Sequence, residues 1–212
     1  MKAHRDFTTL TSAEREHRSN YKTLVSCVVP RPIALVSTVS ADGVANLAPF
    51  SFFNGVCAKP PAVMFAPAVK RDGALKDTLA NLREVDEFVV NLVSHEIGEA
   101  MNQASYPYPP EVSEFEAVGL TLLPSRLVRP SRVAQSPIHM ECKLIQTVPV
   151  GAGPMSTSIC IGEVLCFHIA EGFVLDDGTA DIERLDLIGR MGAEAYCTTR
   201  DIFRLPRPTA SP

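Results

Sequence analysis

Hydrophobic and polar positions fall into short blocks whose period changes along the chain. Residues 8–29 carry Thr11 and Glu14 at capping-box spacing, then a polar stretch, then Tyr21, Leu24 and Val25, which predicts a helix. Pro30-Arg31-Pro32 ends it, because proline lacks a donor and restrains its predecessor. Ile33–Val39 is a β-rich run, Ala41-Asp42-Gly43 supplies a turn, and Val44–Leu47 returns as the partner strand. Ala62–Ala66, entered through Pro60-Pro61, is a further strand. Leu75, Leu79, Leu82 and Val85 then recur at three- and four-residue spacing and predict a short helix with one apolar face. Phe88–Val93 reads as a buried strand, His95–Gln103 as a second helix, and Tyr106–Pro110 as a loop enforced by proline. Ile138–Val148 and Ser156–Ile169 are long strands separated by Gly151-Ala152-Gly153-Pro154. In the second of them Ile159, Ile161, Leu165, Phe167 and Ile169 share one face and Cys160, Val164 and Cys166 the other, so neither face is expected to be fully wet.

Long strands with short helices between them predict a mainly β chain that closes, or nearly closes, into a barrel rather than a βαβ sheet. No repeat, low-complexity block or linker interrupts the chain. One domain over 1–212 is expected, with 1–20 as an N-terminal extension and 206–212 as a loose tail.

Composition narrows the function. The 20 basic and 24 acidic residues give a net charge of −4, which argues against a general nucleic-acid binder. No apolar run approaches the roughly 20 residues of a membrane-spanning helix. The start, Met1 to Asp6, lacks the apolar stretch of a secretory signal, so a cytoplasmic protein is expected. The 6 cysteines are scattered without a C-x-x-C pair and read as reduced, small hydrophobes. His95-Glu96 opens a zinc-protease motif, but Glu99 stands where the second histidine belongs, so no metal-ligand set is visible. Gly151-Ala152-Gly153 precedes a strand, not a helix, and is no dinucleotide fingerprint. No Gly-x-Ser-x-Gly elbow supports a serine hydrolase.

Two segments concentrate chemistry. Lys70–Asn81 joins a strand to a helix, with Asp77 as the expected N-cap and the following amides pointing outward. Those amides favour a phosphate; Arg71 can grip it in a fork, Lys76 adds a charge and Thr78 a hydroxyl. An ordinarily capped, solvated helix start explains the same residues. Asn46–Asn54 sets Phe50, Phe52 and Phe53 among small polar residues after a strand. Such a stretch can lie along a planar ring, or it can be a sheet edge whose aromatics fill the core.

In order, Arg31–Thr38, Asn46–Asn54, Arg71 with Lys76-Asp77-Thr78 and Asn81, Glu87–Leu92, Ser136–Cys142, and Gly189-Arg190-Met191-Gly192 with Tyr196 form a series. From about Tyr21 to about Thr198, it resembles the flavin reductase-like family of FMN-binding split-barrel proteins. The resemblance implies a six-stranded antiparallel split barrel, a homodimer, and FMN near the subunit interface. It implies that Ala48, Pro49, Phe50 and Ser51 approach the isoalloxazine and ribityl chain, with Phe52, Phe53 and Asn54 adjoining. Arg71, Lys76 and Thr78 would hold the phosphate, with Asp77 capping or positioning. Asn81 would bond the phosphate loop or cap a main-chain group. One departure is Asp72–Leu75, a flexible loop that works against Arg71 reaching the phosphate.

Further candidates follow. His139 is a proton donor or substrate contact, or a strand histidine satisfied by a carbonyl. Arg31 touches a flavin or nicotinamide phosphate, or pairs with an acid. Arg190 and Tyr196 close the pocket from the late segment, of this chain or of the second subunit. The expected activity is NADH- or NADPH-dependent reduction of FMN by hydride transfer to its N5, with reduced flavin serving another acceptor or a partner monooxygenase. The alternatives are a retained FMN acting on a small organic substrate, and a non-enzymatic FMN carrier or electron-transfer module.

Overall fold

A computed structural model describes residues 6–109 and 111–208. The predictions that rest on Met1–Arg5, on Pro110 and on 209–212 lie outside the described residues. Helix α1 is His17–Cys27, preceded by a 3₁₀ turn at Ser12–Glu14. The strands β1 (Arg31–Pro32), β2 (Ala34–Val39), β3 (Ala45–Phe50), β4 (Phe53–Ala58) and β5 (Pro61–Phe65) follow, then α2 (Asp77–Glu84) and β6 (Glu87–Leu92). Helices α3 (Gly98–Gln103) and α4 (Glu114–Ala117) lead to β7 (Leu122–Leu123) and β8 (Arg132–Val133). The long strands β9 (Ile138–Val150) and β10 (Thr157–Ile169) precede the hairpin β11 (Ile188–Met191) and β12 (Ala195–Thr198).

The expected capping box does not start a helix of 8–29. Thr11 caps only the 3₁₀ turn, without a side-chain bond, and Arg15 is extended before α1 begins. The Asp42-Gly43 turn does join β2 to β3, with Gly43 at φ 89°, a region glycine enters without steric cost.

Seven strands, not six, pair in the order β3-β2-β6-β9-β10-β5-β4, every neighbour antiparallel. The strand missing from the sequence reading is β4. Its two edge strands, β3 and β4, are consecutive in the chain and joined by Ser51-Phe52 alone. A two-residue link can span the two margins of a sheet only if the sheet curls round on itself, which gives the split barrel. Inside it lie Ala34, Val36, Phe50, Phe53, Val63, Phe65, Phe88, Val90, Cys142, Cys160 and Val164, with Leu79 and Leu82 of α2 plugging one end. Phe65 meets Phe50 at 5.1 Å and Phe88 edge-on at 5.2 Å between ring centres.

Outside the barrel a second core joins Ile33, Leu35 and Leu47 to Ile97, Met101, Phe115 and Val133. Strand β2 is therefore buried on both faces, its polar Ser37 and Thr38 included. In β10, Cys160 and Val164 are buried while Leu165 and Phe167 are exposed. Among the described residues no helix is long and apolar enough to cross a membrane.

Candidate functional site

The strand-to-helix segment differs from expectation at its cap. Lys76, not Asp77, is the N-cap: it is extended at φ −68° and ψ 148° and makes no side-chain cap bond. Its carbonyl accepts the amides of Leu79 at 2.9 Å and Ala80 at 3.0 Å. A lysine side chain has no acceptor to offer, so the Asp77 and Thr78 amides at the helix start stay uncapped and available to an anion. Asp77 instead accepts a bond from Lys70 Nζ at 3.3 Å.

Thr78 is 1% exposed, and its Oγ1 accepts a hydrogen bond from Asn46 Nδ2 at 3.2 Å. A hydroxyl with an occupied lone pair still has its proton to give. Asn46 also donates to Thr38 Oγ1 at 3.0 Å, and so does Asn81 at 3.0 Å. Asn81 thus serves neither the phosphate loop nor a main-chain cap. It bolts α2 to β2 beneath the site.

Thr78, Lys76, Lys70 and Asp77 line a crevice of about 150 Å³ with Asn46, Ala48, Pro49, Glu114 and the loop Tyr106–Tyr108. Lys76 Nζ also stands 5.5 Å from the centre of the Phe50 ring. Burial lowers the Lys76 pKa, and Lys70 adds to this while Asp77 opposes it. The donors present, two ammoniums, a hydroxyl and free helix-start amides, are the chemistry a phosphate requires. The volume falls below the roughly 300–1,000 Å³ of small-molecule pockets, so it suits the headgroup of a larger ligand.

Glu114 was not foreseen, and Lys70, though part of the segment singled out, was given no role in it. Glu114 reaches from α4 to the free margin of β3, where its Oε2 accepts the Leu47 amide at 2.8 Å. Burial raises its pKa, against the pull of that amide. The next outward position on β3 is Pro49, which has no amide, so the edge is closed to further strands. Local periodicity carries no trace of a bond between residues 67 apart in sequence.

The aromatic segment divides. Phe50 and Phe53 are 5% and 8% exposed and belong to the barrel core, so their rings are not free to stack on a ligand. Phe52 is half-buried and lines a cavity of about 570 Å³ against α1. Phe53 and Asn54 border another of about 410 Å³ with Leu92, Met140 and Gly189. Ser51 accepts a bond from Arg31.

Arg71 is exposed at the tip of a turn closed by Lys70 N to Ala74 O at 2.9 Å and Ala74 N to Asp72 Oδ1 at 2.9 Å. That turn is hydrogen-bonded, and Lys70 lines the crevice in place of Arg71. Arg31 forms no ion pair with an acid among the described residues; it is buried among carbonyl oxygens. Arg190 donates to the Tyr196 hydroxyl and the Ala193 carbonyl, and Tyr196 borders a separate cavity of about 540 Å³ between α3 and β12. Neither lines the Thr78 crevice of its own chain.

His139 also lies elsewhere. Its Nε2 donates to Val133 O at 2.8 Å, leaving Nδ1 buried and without a partner. On the same outer face, Glu141 accepts the amides of Arg126 at 2.7 Å and Leu127 at 2.6 Å and bonds His168 at 2.7 Å. These residues clamp the 122–136 segment to the barrel. Burial holds His139 below the ordinary imidazole range.

Residues 25–180 match the profile of the flavin reductase like domain. An uncharacterized protein of Halalkalibacterium halodurans is 41% identical over 92% of this chain and 93% of its own length. Among solved structures, nitrilotriacetate monooxygenase component B from Bacillus cereus superposes with a TM-score of 0.90 at 33% identity, covering 95% of this chain and 100% of that one. The 2-nitrobenzoate 2-nitroreductase of Pseudomonas fluorescens does so with a TM-score of 0.87 at 32% identity, covering 97% and 98%.

Proposed function

The chain belongs to the flavin reductase-like domain family, and from that premise we propose that it is an FMN-dependent oxidoreductase that takes electrons from NADH or NADPH. The observation that carries this reading is one crevice uniting Lys76, Thr78 and the uncapped start of α2 with Ala48 and Pro49. Lys70, Lys76, the Thr78 hydroxyl and the free amides would hold the phosphate. Main-chain groups along 48–54 would meet the ring system. When bound, the flavin supplies the two-electron chemistry. The protein's own part is to bind, to orient and to place positive charge.

The crevice encloses only a headgroup, so in this reading the ring lies over the open surface of the 48–54 stretch and a second copy of the chain covers it. A homodimer follows. The similarity to a monooxygenase component B supports delivery of reduced flavin to a partner oxygenase. The similarity to a nitroreductase supports a second reading, a retained FMN used on a small organic substrate. Extensive dialysis separates the two: a colourless protein supports the first and a yellow one the second. Anaerobic mixing of the FMN-loaded protein with NADH and with NADPH tests the shared core. Bleaching of the flavin absorbance by either donor is expected; an unbleached spectrum with both contradicts the proposal.

A further inference from the structure

Arg31 is 4% exposed, yet among the described residues no carboxylate lies within ion-pair distance of it. Its guanidinium is solvated by dipoles alone. Nη1 donates to Val25 O at 2.6 Å and Val28 O at 2.7 Å, Nη2 to Gly192 O at 3.2 Å, and Nε to Ser51 Oγ at 3.3 Å. Buried charges are ordinarily paired, and this arrangement engages four of the five N–H donors without cancelling the charge. Three parts of the fold converge on it: the end of α1, the Ser51-Phe52 link between the sheet margins, and the β11–β12 turn. Its Cζ lies 6.0 Å from the centre of the Phe52 ring. Arg190, its register partner across β1 and β11, brings a second cation.

We propose that Arg31 is a positioning residue for the flavin segment, fixing the Ser51-Phe52 link and setting an uncompensated positive charge behind it that favours the reduced, more negative flavin over the oxidised one. This rests on the reading that the ring lies along 48–54. A charge in a low-dielectric interior acts across several ångströms, so no direct contact is needed. Charge near the ring is one of the ways a protein tunes a flavin. The same guanidinium also satisfies carbonyls at the end of α1. A residue with that role alone would alter affinity for both redox forms equally and leave the potential where it was.

The test is an anaerobic reductive titration of FMN-loaded wild type, Arg31→Gln, Arg31→Lys, Ser51→Ala and Tyr21→Glu, with oxidised-FMN affinity measured alongside. Arg31→Gln is expected to weaken the reduced form about tenfold more than the oxidised, a fall of about 30 mV for a two-electron couple. Arg31→Lys keeps the charge but loses the fork, so affinity falls while the potential holds. Ser51→Ala also keeps the wild-type potential. Tyr21 of α1 is exposed, and a negative charge placed at its position acts electrostatically on Arg31. Tyr21→Glu therefore lowers the potential without removing a bond from Arg31, and it decides the matter if Arg31→Gln does not fold. Unchanged potential in Arg31→Gln, or in Tyr21→Glu where that variant stands in, overturns the proposal. A fall in Ser51→Ala as large as in Arg31→Gln overturns it too. A wild type that takes up no FMN refutes the underlying reading and this one with it, whereas uptake with equal potentials refutes this one alone.

Discussion

The Lys76 ammonium stands 5.5 Å from the centre of the Phe50 ring. Through that contact the start of α2 touches the end of β3, and the two segments that carry the chemistry become one site. The ring is barrel core, so the lysine is steered by a rigid wall toward the crevice it shares with Thr78.

Removing the phosphate contacts is expected to weaken FMN binding. Lys76→Ala and Thr78→Ala should each cost roughly 1.5–3 kcal/mol, about tenfold or more in affinity, read by quenching of FMN fluorescence. Arg71→Ala, at the exposed turn, should leave the affinity unchanged. Unchanged affinity in Lys76→Ala and Thr78→Ala would remove both from their assigned roles, and a loss in Arg71→Ala would return that residue to the phosphate.

Glu114 closes the β3 edge. Glu114→Ala leaves the Leu47 amide without its acceptor and should cost about 1–3 kcal/mol in urea unfolding. Glu114→Gln keeps an acceptor oxygen and should cost less. Because burial raises the Glu114 pKa, the folded state holds this proton more tightly than the unfolded chain. That contribution is favourable at low pH and is lost as pH rises through the raised value. The glutamine variant should abolish this falling component.

His139 gives the opposite slope. Its folded pKa lies below the ordinary value, chiefly through burial, so the unfolded chain takes up its proton first as pH falls. Stability should drop from about pH 6.5 downward, the ordinary imidazole range. His139→Gln should flatten that drop while leaving FMN reduction by NADH or NADPH intact. Loss of flavin reduction without a change in the pH–stability curve would restore His139 to the chemistry.

Gly162 sits under Phe88. A Cβ there would stand 2.5 Å from Phe88 Cε1 and nearer still to Cζ. Phe88 is fully buried against Phe65 and cannot swing aside. Gly162→Ala should therefore cost about 1–3 kcal/mol by overpacking, visible as a lower unfolding midpoint.

Elements whose burial repeats locally were legible in the sequence. Leu79 and Leu82 mark the one buried face of α2, Phe88–Val90 the doubly covered β6, and Asp42-Gly43 the first hairpin. Strand β4 was not, because only Phe53 points inward and the residues from Asn54 to Ala58 are exposed, so no alternation announces it. At the site, Thr78 and Lys76 could be read from the helix start. Glu114 and the tyrosine loop could not, since fold topology alone brings them there. Arg31 drew attention for its charge, but its partners are carbonyl oxygens, which no side-chain pattern displays.

The most direct test of the central claim is a crystal structure of the protein soaked in FMN. The account predicts the phosphate within hydrogen-bonding distance of Thr78 Oγ1 and Lys76 Nζ, with the ring along residues 48–54. Density for FMN at another site, with this crevice left without it, would contradict the account.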